Sequence, residues 1–318
     1  MAGGVAMKRR TITSFAQEYL RYRHSLGFRL KIEGPLLMKF ATFADAEAED
    51  GRLDTTLALR WARLPSAASP LYWARRLEIV RCFARYLLVF DCRTQVPPKG
   101  ILGPAHRRIS PHIYTEQELK ALINACVELE PVDGLRPHTY ATLFGLLAST
   151  GLRISEALCL EDYDVDLRNS VLSIRETKFH KSRLVPVHPS VRDQLTTYRR
   201  MRIQHCPHPS SCSFFLSDRG AALPYSTVRH VFRAIVRHLG WEPQDGRRCP
   251  RIYDLRHTFA SRRLATWQQE GADLRAMLPA LSTYMGHVKV SDTYWYLSAI
   301  PELFAEATSS FEQFAHPK

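Results

Sequence analysis

The segment TQVPPKGILGPAHRRISPHIY, beginning at residue 94, constrains this chain more than any other feature. Pro97 and Pro98 stand side by side, and Pro104 and Pro111 follow. Each removes a backbone donor and clashes with a continuing helix, while Gly100 and Gly103 weaken any regular conformation between them. No helical or strand period runs through residues 94–113, which therefore read as an interdomain linker. Two bodies follow from that break: a helical region over residues 1–105 and a second region over 112–318, with 106–111 as the end of the linker. At 318 residues the chain is long enough for each part to bury a core of its own.

The first region reads as helices. Thr13 or Ser14 is placed to cap a helix through Phe15, Tyr19 and Leu20, and PLLMKFATFADAEAE makes a second with Pro35 at its entry. The strongest lies in LYWARRLEIVRCFARYLLVF, residues 71–90, where Leu77, Val80, Phe83, Ala84, Leu87 and Leu88 recur at helical spacing. Its Arg75, Arg76, Arg81 and Arg85 cannot all join that stripe. They form either a solvated face or one that contacts phosphates, and local pattern does not choose between them.

From Thr115 the pattern changes. Thr115-Glu-Gln-Glu resembles a capping box opening a helix, and a further helix over about 138–149 ends at Gly151. The β-branched runs VLSIR (171–175) and RLVPV (183–187), joined by a polar turn, predict a hairpin. More helices are expected at about 190–203, 226–239, 256–269, 273–284 and 301–314. The expected fold class is therefore mainly α (α+β), a helical N-terminal domain followed by a mostly helical domain with a small antiparallel sheet.

Charge is unevenly distributed along this frame. The net charge is +13, and residues 1–110 hold 19 Lys/Arg against 9 Asp/Glu, a net of +10 in one third of the chain. Such an excess suits a part that meets a polyanion, although a basic surface that merely aids solubility gives the same count. No window is apolar enough for a membrane span, and MAGGVAMKRRTITSF lacks the apolar core of a secretory signal. Seven scattered cysteines, an odd number, read as reduced thiols of a cytoplasmic protein.

Four short pieces carry the residues suited to chemistry. Thr150-Gly-Leu-Arg153-Ile-Ser-Glu156 puts an arginine at a helix junction with a glutamate three residues on. Lys178 sits at the tip of the hairpin. Tyr253-Asp-Leu-Arg256-His257-Thr-Phe-Ala places Arg256 and His257 at an expected helix start, where the helix dipole favours anions. Met285-Gly-His287 precedes Tyr296 by nine residues, counted from the histidine. Each alone has an ordinary structural explanation.

Together, in this order and spacing, they resemble the tyrosine recombinase (phage integrase) family, over about residue 112 to the end and more faintly before it. The resemblance implies Arg153, Lys178, Arg256 and His287 as catalytic residues and Tyr296 as nucleophile. One position departs: where the family commonly has histidine at the head of the second arginine box, this chain has Tyr253. A neutral tyrosine, with an ordinary pKa of about 10, still donates a hydrogen bond there. The family resemblance further implies double-stranded DNA as partner, a tetramer on two duplexes with possible accessory recombinases, location at the bacterial nucleoid, and no cofactor or metal. The alternatives on the same scaffold are a type IB topoisomerase or telomere resolvase, or an idle DNA-binding protein.

Two metal-like patterns are weaker. His205-Cys-Pro-His-Pro-Ser-Ser-Cys212 has zinc-ligand residue types but matches no common spacing. Asp162, Asp164 and Asp166 lack the glycine and terminal glutamate of a calcium loop, and a solvated strand edge is expected there.

Overall fold

A computed structural model of the chain describes residues 10–48, 51–105, 110–175, 182–241, 249–287 and 289–297. The chain divides into two compact units, Met1–Ile109 and Ser110–Lys318.

In the first unit the described helices are α1 (Ile12–Ser25), α2 (Glu33–Glu47), α3 (Thr55–Arg63) and α4 (Pro70–Leu87). Thr11, not Thr13 or Ser14, caps α1, its hydroxyl accepting from the Ser14 amide at 3.1 Å. Sequence patterning did not pick out α3, a short amphipathic helix that Asp54 caps by accepting from the Leu57 amide at 2.7 Å. Ser69 at the N-cap and Pro70 in the first turn start α4. Leu77, Val80, Phe83 and Leu87 of α4 are buried against Leu37, Phe40 and Trp61. Each such apolar side chain contributes about 1.5–3 kcal/mol on burial.

The residues expected to form a linker begin as part of this unit. The Gln95 amide donates to Leu53 O at 2.9 Å, and Arg81 Nε to Pro97 O at 2.6 Å. Prolines prevent a helix here, but they leave carbonyls free to accept from α4, and residues 94–105 lie along it.

The second unit contains α5 (Glu116–Val127), α6 (Leu135–Thr150), α7 (Ile154–Leu158), β1 (Val165–Asp166), β2 (Val171–Ile174), β3 (Arg183–Pro186), α8 (Pro189–His205), α9 (Tyr225–His238), α10 (Ile252–Gln269), α11 (Leu274–Met285) and α12 (Ser291–Leu297). The capping box of Thr115 and Glu118 opens α5 as expected. β2 and β3 pair antiparallel in the register Leu172↔Val185, and β1 adds to the other edge of β2. Leu172, Ile174 and Val185 turn one face of this small sheet into the core. The fold is thus mainly α with a small antiparallel sheet. The expected helix at 301–314 and the tip of the hairpin lie outside the described residues.

α10 starts at Ile252, with Arg251 at its N-cap and the Asp254 carboxylate accepting from the Arg251 amide at 2.9 Å. Arg256 and His257 therefore sit in the second turn, and the helix start is occupied by Asp254. The expectation that the helix dipole acts directly at these two residues is corrected accordingly.

Candidate active site

The site is assembled around the ends of α6 and α11. α6 ends at Gly151, whose φ of 62° is the left-handed conformation that glycine adopts without strain. The chain then turns through Arg153, the N-cap of α7. Glu156, three residues on, closes that cap by accepting from the Arg153 amide at 3.0 Å. Its carboxylate also accepts from Arg153 Nη1 at 2.6 Å, while Arg153 Nη2 reaches Gly286 O at 3.0 Å.

Glu156 has a second cationic partner. Arg183, the first residue of β3, donates to both carboxylate oxygens at 3.1 and 2.8 Å, and its Nε donates to Tyr284 O at 2.8 Å. Burial pushes the Glu156 carboxyl upward, but the hydrogen bonds and charge of Arg183, then the hydrogen bonds from Arg153, outweigh it and hold the carboxyl below its usual range.

Arg256 lies deeper, only 1 % exposed. Its Nη1 donates to Gly151 O at 2.6 Å and its Nη2 to Met285 O at 2.7 Å, so one guanidinium ties the end of α6 to the end of α11. The same Nη2 meets His287 Nε2 at 2.9 Å. A guanidinium only donates, so Nε2 must accept, and the proton is assigned to Nδ1, which faces Thr293 Oγ1 at 2.7 Å. Burial, then the charges of Arg256 and Arg153, push the His287 pKa down to about 4, and the ring is neutral at neutral pH.

Tyr296, on α12, is 2 % exposed. Its ring stacks on His287 with centroids 5.8 Å apart and meets His257 edge-on at 5.3 Å. Ala260, Leu264, Leu278, Leu281 and Met285 form the small apolar core in which it sits. Burial raises the phenol pKa and nearby Arg256 partly opposes that, so the phenol holds its proton at neutral pH. Tyr253 is half-exposed, its ring 4.9 Å from that of His257. His257 is buried, Nδ1 has no hydrogen-bond partner among the described residues, and burial lowers its pKa to about 4.

Of the residues singled out from sequence, Arg153, Arg256, His287 and Tyr296 come together, with Tyr253 beside them through His257. Lys178 lies outside the described residues, as does the side chain of Tyr294. The four arginines of α4 separate into two pairs. Arg75 and Arg85 are exposed. Arg76 and Arg81 are buried: Arg76 stacks 3.6 Å above Trp61 and donates to Trp61 O at 2.7 Å, and Arg81 is taken up by Pro97 O and Glu78. Those two hold the fold of their own unit. Sequence reading gave no role to Arg183 or Thr293. His257 stood inside a quoted motif, but nothing local marks Arg183 beyond its place at the head of a strand.

The metal-like patterns resolve into ordinary contacts. His205 faces Met201 O and Asp133 O, and the buried Cys206 thiol faces Ser217 O and Asp218 O. Asp162 pairs with Arg199 and Arg202, and Asp164 with Arg175. Among the described residues no group of three His, Cys, Asp or Glu side chains is placed to hold a metal, and no helix is long and apolar enough to cross a membrane. All seven cysteines are free.

Two arginines sharing one carboxylate, with Arg256 between the neighbouring helix ends and a sequestered phenol beside it, define a site fit to hold an anion against an oxygen nucleophile. Residues 113–302 match the phage integrase family, and the chain belongs to it. A putative integrase/recombinase of Sinorhizobium fredii, y4rB, is 41% identical over 307 residues, spanning 95% of this chain and 98% of that protein. Tyrosine recombinase XerC of Chlamydia caviae is 28% identical over 226 residues, 70% of this chain and 65% of its own length. Among solved structures, the Tn1549 transposon integrase in complex with transposon right end DNA matches with a TM-score of 0.70 at 16% identity, covering 96% of this chain and all of that one (100%). XerH bound to its palindromic difH substrate matches with a TM-score of 0.64 at 17% identity, covering 96% of this chain and 86% of that one. The fold is that of the tyrosine recombinases.

Proposed function

We propose that this chain is a site-specific DNA recombinase that breaks and rejoins duplex DNA through a 3′-phosphotyrosyl intermediate on Tyr296. The observation that carries this reading is the buried Tyr296 phenol, stacked on His287 and adjoining Arg256. The phenolic oxygen attacks the scissile phosphorus, the bond from phosphorus to the 5′-oxygen breaks, and the phenol's proton passes to solvent water. The product ester conserves the energy of the bond that was cut, so a free 5′-hydroxyl can later reverse the step on another strand.

Arg153 and Arg256 stabilise charge on the non-bridging oxygens as the transition state forms; a guanidinium is planar, bidentate and permanently charged. For Arg256 this means exchanging a carbonyl contact for a phosphate oxygen or using the Nε–H, which has no partner among the described residues. His287, neutral and held by Thr293, supports Arg256 and the nucleophile. Tyr253 donates a hydrogen bond where the family commonly uses histidine, and Lys178 protonates the departing 5′-oxygen. The residue 1–105 domain grips the duplex, with Arg75 and Arg85 as its exposed cations on α4. Synapsis of two duplexes calls for a tetramer at the nucleoid, with room for accessory recombinases.

The test uses purified full-length chain and nicked duplexes covering the DNA on either side of its own gene, resolved on a denaturing gel. The parent is expected to become covalently attached. Tyr296→Phe should lose attachment entirely while binding duplex as before. Attachment that persists in Tyr296→Phe, or a parent that never attaches, overturns the reading.

A further inference from the structure

Glu156 presents an electrostatic difficulty that the family motifs do not resolve. A buried carboxylate 2.6 Å from Arg153 neutralises the cation that a phosphate would need. Left as a simple pair, Arg153 and Glu156 sum to zero, and a dianionic transition state gains little from them. Arg183 changes that sum. It binds both oxygens of Glu156 with two parallel N–H bonds, the geometry that makes an arginine the strongest available carboxylate partner. The trio then carries one net positive charge.

Accessibility divides the labour between the two arginines. The Arg183 side chain is 12% exposed and that of Arg153 is 25% exposed, with Glu156 at 5% between them. Arg183 stands behind the carboxylate with Nε and both Nη atoms engaged. Arg153 stands on the open side. Arg183 also joins segments far apart in sequence, reaching Glu156 across 27 residues and Tyr284 O across 101. Gly286 makes room for it: a Cβ there would lie 2.7 Å from Arg183 Nη1 and 2.9 Å from Cζ. The glycine before His287 is thus required by the guanidinium packed against it, in addition to its φ of 67°.

We propose that Arg183 is a positioning residue: it takes up the charge of Glu156 so that Arg153 keeps its own for a phosphate, and it fixes the Tyr284–His287 segment. The proposal rests on reading Arg153 as a phosphate ligand, and its test separates the two. Two readouts are taken on folded full-length protein, checked by circular dichroism. One is covalent attachment to the nicked duplex. The other, independent of any reaction, is broadening of the phosphorus resonance of inorganic phosphate. Arg183→Met should slow attachment roughly a hundredfold, the usual loss for one withdrawn transition-state donor, and abolish the broadening. Adding Glu156→Gln to Arg183→Met removes the uncompensated charge and should restore the broadening and most of the rate. Arg183→Lys keeps the charge and should keep phosphate binding.

The proposal is overturned if Arg183→Met binds phosphate and attaches DNA like the parent, or if the double variant recovers neither. The same holds if Arg183→Lys binds no phosphate, since shape rather than charge would then decide. A parent that binds phosphate with this pattern of variants but never attaches DNA leaves the arginine arrangement standing and removes the recombinase reading. Attachment that ignores residue 183 does the reverse.

Discussion

Both units bury arginines, and the two do so differently. In the first, Arg76 lies on the Trp61 ring and Arg81 sits between Pro97 O and Glu78, each in a separate place with its own local partners. In the second, Arg202 is buried on its own partners, Asp162 and Ser213 O, but buried Arg256 joins the ends of α6 and α11 beside half-buried Arg153 and Arg183, which share the Glu156 carboxylate. Among the described residues Arg76 and Arg256 alike have an unpartnered Nε, so a stray donor is not what separates them. Convergence is. A buried cation with private partners serves packing, whereas cations outnumbering their anions at one point are arranged for an anion from outside.

A crossed substitution is the most direct way to break that contrast. Arg256→Ala should slow covalent attachment by about two to three orders of magnitude. Arg76→Met should leave the rate per folded molecule alone and instead lower stability by about 1–3 kcal/mol, through its carbonyl bond and the Trp61 stack. Single-turnover gels and urea unfolding measure the two effects. If Arg76→Met slows attachment as Arg256→Ala does, the distinction between the units fails.

Acid should act on the second unit through its histidines. His257 and His287 have folded pKa values of about 4 against an ordinary 6.5. Unfolding therefore takes up protons between those values, so their contribution to stability is complete above pH about 6.5 and is lost as pH falls from there through about 4. Melting temperature followed across that window should fall, and His287→Asn should flatten the decline. A profile flat down to the carboxylate range would mean that these rings are not held neutral by the fold.

The smallest effect concerns the surface of α4. Replacing Arg75 and Arg85 should each reduce the slope of log affinity against log salt by about 0.9, if both meet phosphates. Arg76 and Arg81 lie inside and should not change that slope in folded protein. An equal response from all four would return them to a single class.

The four arginines of α4 also mark where sequence reading stopped. They occupy one helix with one residue type, and only Trp61 and Pro97, from other segments, decide which of them go inside. The site was legible where its residues stand in compact boxes, as Arg153 with Glu156 and His287 with Tyr296 do. Arg183 was not, because its partners are 27 and 101 residues away and no local period records them. The hairpin was visible in the β-branched runs of β2 and β3, while two-residue β1 was too short to leave a pattern. α3 escaped because its amphipathic run of Leu57, Ala58, Trp61 and Ala62 fills little more than two turns behind the cap Asp54. Arg256 was assigned to a helix start because Asp254 was not recognised as the cap partner of Arg251.

Glu156 does more than share its charge between two arginines. It also closes the N-terminus of α7, a helix of five residues. A helix that short does not persist by itself, since nucleation costs more than so few backbone bonds return. The carboxylate that would hold its first turn is the one that Arg153 and Arg183 must reach. Winding of α7 and assembly of the charged cluster are therefore expected to be coupled through this one carboxylate. The protection of the α7 amides against exchange should report how often the charged cluster opens.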